Sequence, residues 1–191
     1  SISEKLPPVK HTGMQKALLY TDLVSKKINT AVYSSAGRMF DAIASITGIC
    51  SNAHYHAEAP MQLESVMDKS CDTGYNYDLD GEVISFRRAI LEIVRDVENG
   101  EKTGRISARF HNCIASAVVD GVKHIFNISG INDVVLCGGT FQNRYLAEKI
   151  FSHLEAEKFN VYYPASVPVN DGGLALGQLA IAAARRNAGL I

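Results

Sequence analysis

The last third of the chain has a strand, glycine, helix pattern that limits its fold more than any other feature. Residues 133–137 hold a continuous apolar run of strand length, Val134 to Cys137, and Gly138-Gly139 end it before a segment with helical spacing. A second unit follows, with a strand over Phe159 to Tyr163 and a final helix opened by Asp171-Gly172-Gly173. This order predicts an α/β fold with a parallel strand pair, and the unbroken apolar run predicts a strand covered on both faces.

The preceding two thirds have mainly helical periodicity. We expect a β-hairpin around Asp80-Gly81, within residues 75–84, because tight turns favour this dipeptide. The spacing predicts helices over about 14–28, 36–47, 57–68, 86–97 and 106–128, the second of them capped by Ser34-Ser35. Residues 1–12, with Pro7-Pro8, are expected to be a tail or linker, and residues 13–191 a single α/β domain.

Composition excludes several classes of protein. The 191 residues are near the size of one domain, and 47% of them are hydrophobic, which is typical of a globular chain. Lys and Arg total 19 against 20 Asp and Glu, and the net charge of −1 provides no global field for nucleic acid or an anionic membrane. No apolar run approaches the ~20 residues that span a bilayer. We therefore expect a cytoplasmic protein without a nucleic-acid or membrane partner.

The four cysteines are far apart in the sequence and form no C-x-x-C pair, which disfavours a zinc ribbon or a thioredoxin-type motif. Cys50, Cys113 and Cys137 lie in largely apolar surroundings. Buried free thiols are therefore the expected state.

The bend at Gly138-Gly139 is the first candidate site. A strand that ends in two glycines and turns into a helix presents free backbone N–H groups and the positive end of the helix dipole, which suit a phosphate. Asn143, one turn into the expected helix, has an amide able to bond a ribose or a base. The alternative is a tight turn with no ligand, and residue types alone leave both interpretations open.

Asp171 is the second candidate. Its carboxylate suits a metal at the mouth of a nucleotide site, because carboxylates tolerate nearby phosphates chiefly when a cation lies between them. It could instead cap the final helix, a common role of aspartate. These two interpretations do not exclude each other.

The sequence context of the other polar residues favours structural roles for them. His54, His56 and Glu58 are close enough to suggest a metal cluster, but no further ligand is near them in the sequence. His111 lies among apolar neighbours and is expected to be a hydrogen-bonded core histidine. Asp41 lies four residues from Gly37, on a helix face of small residues that a ligand could approach closely.

Five motifs share their residues and order with one family of proteins. They are Ser34-Ser35-Ala36-Gly37-Arg38-Met39-Phe40-Asp41-Ala42, Tyr55-His56-Ala57-Glu58-Ala59-Pro60-Met61-Gln62-Leu63-Glu64, Ile106-Ser107-Ala108-Arg109-Phe110-His111-Asn112, Cys137-Gly138-Gly139-Thr140-Phe141-Gln142-Asn143-Arg144 and Val167-Pro168-Val169-Asn170-Asp171-Gly172-Gly173-Leu174-Ala175-Leu176-Gly177-Gln178. Together they resemble the carboxy-terminal part of the HypF carbamoyltransferases of [NiFe]-hydrogenase maturation.

The resemblance implies the second half of an actin-like ATPase (ribonuclease H-like) fold and a chain that is the C-terminal part of a longer carbamoyltransferase. In that family a carbamoyl-adenylate, made from carbamoyl phosphate and ATP elsewhere in the same protein, donates its carbamoyl group to the C-terminal cysteine of HypE. Dehydration then yields the cyanide ligand of the hydrogenase iron. ATP or the adenylate, a divalent metal, HypE and the remaining HypF domains are the implied ligands and partners.

Matching positions imply the site residues. They are Gly138, Gly139 and Asn143 around the nucleotide, Gly37 and Asp41 near its ribose, Glu58 or Glu64 beside them, and Asp171 on the metal. Two departures stand out. The His-rich metal motif of the family is absent, and Ala57 occupies a position where the family usually has glycine. No catalytic residue is assigned, and the chain alone is expected to be inactive.

Two alternatives remain. One is a non-catalytic nucleotide-binding or interaction module on the same fold. The other is a relative that carbamoylates an alcohol or tRNA, which segments 108–112 and 141–144 disfavour because they resemble HypF more closely.

Overall fold

The computed structural model describes residues 3–190. Contacts within the chain group it into two compact units, Ser1–Gly121 and Val122–Ile191. Whether residues 13–191 behave as a single domain stays a prediction.

The first unit is mostly helical. Its helices are α1 (Pro7–Thr12), α2 (Met14–Ser25), α3 (Ala36–Ile46), α4 (Glu58–Ser65), α5 (Arg87–Glu98) and most of the long α6 (Thr103–Ser129), whose last turns belong to the second unit. The hairpin strands β1 (Asp78–Asp80) and β2 (Val83–Ser85) pair antiparallel across a turn at Gly81-Glu82. The predicted helices and the hairpin are confirmed, with boundaries that differ by a few residues.

The N-cap residue Ser35 explains where α3 begins. The Ser35 side chain accepts a hydrogen bond from the Arg38 backbone N–H, which satisfies one of the free donors of the first turn. The helix then buries Phe40, Ile43 and Ala44. This agrees with the cap predicted at Ser34-Ser35.

The stretch expected as a tail or linker is partly a helix. Residues 1 and 2 lie outside the described residues, but 7–12 form α1, whose Val9 is buried. The two prolines that suggested a linker occupy the first turn of this helix, where a missing N–H costs nothing.

The core of the first unit is built on α6. Its residues from Ile106 to Val119 supply eleven buried positions, and Phe110 packs edge-on against Phe40 of α3 with ring centroids 4.9 Å apart. His111 is fully buried and its Nδ1 lies 2.8 Å from the Ser107 carbonyl oxygen. Burial lowers the pKa of His111 to about 4, so the ring is neutral at neutral pH. The prediction of a core histidine is confirmed.

The second unit contains the strand and helix pattern. Strands β3 (Asp133–Val135) and β4 (Asn160–Tyr162) pair in parallel, with Val134 opposite Val161, and α7 (Arg144–Ala156) connects them. A final helix, α8 (Leu174–Asn187), follows β4. The α/β class and the parallel pair are therefore confirmed.

Coverage of β3 on both faces was a wrong prediction. Val135 is 63% exposed and Cys137 is also exposed, because this sheet has two strands and, in each of them, the first and third residues are exposed. The buried thiol predicted for Cys137 is wrong for the same reason, whereas Cys50 and Cys113 are buried. All four cysteines are free.

Within the described part of the chain, each helix is too short or too polar to cross a lipid bilayer.

Candidate functional site

The two glycine bends of the second unit lie side by side. The Gly138 backbone N–H donates a hydrogen bond to the Val169 carbonyl oxygen, 2.8 Å away, which joins the end of β3 to the loop before α8. Both bends follow parallel strands, and the carboxyl ends of parallel strands lie at one edge of a sheet. The two segments singled out in the sequence are therefore neighbours in space.

The first bend is open to solvent and needs glycine at one of its two positions. Gly138 has φ +106°, a conformation that L side chains rarely adopt. Gly139 has an ordinary φ, and a Cβ added there would meet no atom within 4 Å. The fold therefore requires glycine at Gly138, whereas the structure leaves empty space above Gly139.

Two neighbouring backbone donors in this bend have no acceptor. A 3₁₀ turn spans Gly139–Gln142, and within residues 3–190 the N–H groups of Gly139 and Thr140 make no hydrogen bond. Each buried N–H without an acceptor is costly, but these two lie at an exposed glycine and a half-buried threonine, where water or an anion can reach them. Adjacent unpaired N–H groups of this kind suit a phosphate oxygen.

Asn143 lies at the start of a helix, not inside it as predicted. It does not lie one turn into the helix: the 3₁₀ turn intervenes, and Asn143 is the N-cap of α7, with its Oδ1 accepting from the Leu146 N–H at 2.9 Å. Gly138-Gly139 likewise do not open that helix directly, so its first turn starts five residues beyond Gly139. The side-chain oxygen of Asn143 is used in capping.

Asp171 does not cap a helix. The cap of the 3₁₀ turn Asp171–Gly173 is Asn170, whose Oδ1 accepts from the Gly172 N–H at 3.0 Å. The prediction that Asp171 caps the final helix is therefore wrong, because Gly173 is the N-cap of α8 and no side chain caps that helix. Asp171 itself is exposed, and its carboxylate has no hydrogen bond or ion pair among residues 3–190.

The described residues do not form a metal site. They hold no group of three or more His, Cys, Asp and Glu side chains able to bind an ion. Asp171 can supply one carboxylate ligand, which does not complete a Mg²⁺ or Ca²⁺ site by itself; the other oxygen ligands would have to come from phosphate, water or other segments.

The second bend is closed. A Cβ on Gly173 would lie 2.5 Å from the Pro168 carbonyl oxygen and 3.0 Å from Val167 Cγ1. A Cβ on Gly172 would lie 3.1 Å from Asn170 Oδ1. Glycine is required here by packing within the chain, not by space for a ligand.

Gly37 and Asp41 lie on one face of α3, as their spacing predicts. A Cβ on Gly37 would only make an ordinary contact with Ser35, so the fold does not require glycine at this position. The Asp41 carboxylate pairs with Arg38 Nη1 at 3.3 Å on the partly exposed helix surface. Such a surface pair contributes little to stability, and either side chain can turn to another partner.

Glu58 begins α4 and holds the preceding loop. Its Oε2 accepts the His54 backbone N–H at 2.5 Å and lies 3.3 Å from His54 Nδ1, while its Oε1 accepts from Gln62 Nε2 at 2.9 Å. The His54 N–H, ahead of the other contacts, lowers the pKa of Glu58, so the carboxylate is ionised at neutral pH. These contacts give Glu58 a structural role. Glu64, the last residue but one of α4, is half-buried.

Ala57 adopts the left-handed conformation that glycine favours. Its φ is +62° at the N-terminal boundary of α4. The departure noted in the sequence therefore falls on a position where the backbone itself favours glycine.

Tyr163, Thr140 and Asn170 were not identified from the sequence. Tyr163 donates its hydroxyl hydrogen to the Phe141 carbonyl oxygen at 3.0 Å, across 22 residues. No local pattern indicates such a contact. The cap role of Asn170 had a signal, since asparagine is as good an N-cap as aspartate and comes one residue earlier.

The comparisons with known proteins agree on one family. Residues 2–178 match the family model described as the carbamoyltransferase, Kae1-like domain, second subdomain. The chain is 36% identical over 168 residues to the carbamoyltransferase HypF of Rhodobacter capsulatus, covering 87% of this chain and 22% of that protein. It is 30% identical over 156 residues to the HypF of Methanocaldococcus jannaschii described as a probable carbamoyltransferase, covering 81% of this chain and 20% of that protein.

A solved structure gives the same result. The crystal structure of full-length HypF in the phosphate- and nucleotide-bound form superposes with a TM-score of 0.86 and 37% sequence identity, over 92% of this chain and 24% of that one. The chain is thus an α/β half-domain of the actin-like, ribonuclease H-like type. It belongs to the HypF carbamoyltransferase family, and it spans about a fifth to a quarter of the length of these relatives.

Proposed function

We propose that this chain supplies part of the nucleotide site of a HypF-type carbamoyltransferase, and that the bend at Gly138-Gly139 holds a phosphate of ATP or of carbamoyl-adenylate. The observation that carries this proposal is the pair of unpaired N–H groups on Gly139 and Thr140, next to space that no side chain fills. The phosphate- and nucleotide-bound form of the full-length relative is consistent with such a ligand.

The chemistry suits these donors. In the proposed reaction a cysteine thiolate attacks the carbamoyl carbon, an S–C bond forms, and the C–O bond to the adenylate phosphate breaks. Negative charge therefore develops on the departing phosphate. Backbone N–H groups already oriented toward that oxygen stabilise the charge without further reorganisation, which lowers the barrier.

The nucleophile in this proposal comes from a partner. We assign it to the C-terminal cysteine of HypE, so that the product leads to the cyanide ligand of a [NiFe]-hydrogenase. Cys137 is exposed near the bend but is not assigned a reactive role. The remaining HypF domains complete the catalytic centre, and the isolated chain is expected to lack transferase activity.

The other candidate residues stay proposals that rest on the family resemblance. In the first unit these are Gly37, Asp41 and Glu58 as nucleotide contacts. In the second unit Asn143 stays a proposed nucleotide contact and Asp171 a proposed single ligand of a divalent metal whose other ligands come from other segments.

The test is a titration of the 191-residue chain with ATP, followed through its backbone amides by NMR, which detects binding even at millimolar affinity. In the wild-type chain we expect the amides of Gly139 and Thr140 to shift. In Gly139→Ala the new methyl group occupies the space above the bend, and we expect the affinity for ATP to fall by about tenfold or more, the equivalent of ~1.4 kcal/mol.

Gly177→Ala is the matched control. Gly177 also has no atom within 4 Å of an added Cβ, but it lies in α8 outside the bend, so ATP affinity should not change. Equal affinities in Gly139→Ala and the wild type would remove the bend from the nucleotide site. If a longer protein carrying this sequence also showed no ATP binding, a non-catalytic interaction module would replace the proposal.

A further inference from the structure

Among residues 3–190, one side-chain hydrogen bond connects the 3₁₀ turn Gly139–Gln142 to the residue that follows β4. Tyr163 follows the last residue of β4, and its hydroxyl donates to the Phe141 carbonyl oxygen at 3.0 Å. The contact spans 22 residues of sequence and lies between segments that no backbone hydrogen bond joins at this point. It is partly exposed, since 41% of Tyr163 remains accessible.

The position of this bond matters because of what the same turn holds. The two unpaired donors, on Gly139 and Thr140, lie two residues and one residue before Phe141. The turn is fixed at one end where Gly138 donates to Val169, and at the other end where Asn143 caps α7. Between these ends, the backbone of the turn is held from outside by the Tyr163 hydroxyl, which is the contact that the described residues show there.

We propose that Tyr163 is a positioning residue for phosphate binding at the Gly138-Gly139 bend, and that its hydroxyl sets the direction of the Gly139 and Thr140 N–H groups. This inference rests on the function proposed above. The hydroxyl acts through the Phe141 carbonyl and does not touch the ligand. Its effect is therefore confined to the phosphate end of a nucleotide and does not extend to the base or ribose.

Tyr163→Phe tests the inference because it removes only the hydroxyl. Hydrogen bonds of this kind contribute about 0.5–1.5 kcal/mol, so we expect the affinity for ATP to fall by roughly two- to tenfold. The titration with adenosine, which has no phosphate, should be the same in the variant and the wild type. In the ligand-free variant the amide signals of Gly139 and Thr140 should shift, and their exchange with solvent should change.

The adjacent tyrosine provides a matched control. Tyr162 is the last residue of β4, is also partly exposed, and its hydroxyl makes no hydrogen bond within residues 3–190. Tyr162→Phe therefore makes the same chemical change at the preceding residue without loosening the turn. ATP affinity and both amide signals should match those of the wild type.

The outcomes separate the two proposals. If wild-type protein binds ATP and Tyr163→Phe binds it equally well, the positioning role is wrong and the proposed function stands. If Tyr163→Phe weakens ATP and adenosine alike, the tyrosine has a general structural role and the inference is overturned. If ATP leaves the Gly139 and Thr140 amides of the wild type unchanged, the phosphate site itself is wrong, and the positioning role falls with it.

Discussion

Two bends of the second unit each contain a Gly-Gly pair, yet glycine is present for different physical reasons. At Gly172-Gly173 the chain packs against itself, and an added Cβ on Gly173 would lie 2.5 Å from a carbonyl oxygen. At Gly138-Gly139 no atom of the part of the chain that the structure describes lies within 4 Å of an added Cβ at either position. Packing explains the glycines at Gly172-Gly173, but it does not explain those at Gly138-Gly139.

This difference separates a structural glycine from a candidate ligand contact. Gly138 is required by its positive φ, but Gly139 has neither strain nor crowding to explain it. A residue whose small size the fold does not use is the better place to look for a ligand that approaches the backbone closely. The comparison therefore points to Gly139 and away from Gly173.

The largest effect is expected for Gly173→Ala. Because the Pro168 carbonyl oxygen belongs to the backbone and cannot rotate away, the loop must shift to admit the methyl group. Forced overpacking of this kind costs about 2 kcal/mol of unfolding free energy. Urea unfolding followed by circular dichroism measures the loss.

Gly177→Ala again serves as the control, this time for stability. It lies in α8, where an added Cβ would meet no atom of the described residues within 4 Å outside the helix's own backbone, so the higher helix propensity of alanine should stabilise the chain by up to about 1 kcal/mol. If Gly173→Ala were as stable as the wild type, the closed packing of the second bend would be wrong, and the contrast between the bends would disappear.

Gly138→Ala should have the next largest effect on stability. The methyl group has space, but alanine rarely adopts φ +106°. Forcing it into this backbone conformation costs about 1 to 2 kcal/mol of unfolding free energy. Gly139→Ala, one residue on, should leave the free energy of unfolding almost unchanged because its φ is ordinary. Urea unfolding of the two variants side by side checks this, and equal losses would show that crowding, not φ, governs the bend.

The sequence predicted the elements of the second unit but not how exposed they are. Apolar content and helical spacing are local properties, so α7, α8 and the parallel pair were found. Burial depends on what packs against a strand. The run ending at Cys137 indicates a covered strand, but the sheet of the second unit has two strands in the part described, up to residue 190, and leaves Val135 and Cys137 exposed.

The site was predicted in part for a similar reason. The glycine bends were identified from short motifs, and their proximity follows from the parallel order of the strands. Asn143 and Asn170 act as caps because of where the 3₁₀ turns start. A start that differs by a few residues moves a polar residue from the interior of a helix to its end. The Tyr163 contact joins distant residues and has no counterpart in any local pattern.

Ala57→Gly extends the comparison to a bend where the fold favours glycine and the sequence does not provide it. Ala57 has φ +62°, a conformation that costs an L residue about 1 kcal/mol or more relative to glycine. We therefore expect this variant to gain up to about 1 kcal/mol of unfolding free energy, less than the losses above, because glycine also gives the unfolded chain more freedom.

Ala59→Gly is the opposite case and completes the argument. Ala59 lies two residues further on, inside α4 and buried, so the same substitution should lose about 1 kcal/mol through lower helix propensity and lost packing. Opposite signs from one chemical change, within three residues, would show that local φ determines the effect of glycine here. A destabilised Ala57→Gly variant would mean that the Ala57 methyl group contributes packing that outweighs its strain, and the rule used to distinguish the two Gly-Gly bends would then need the same revision.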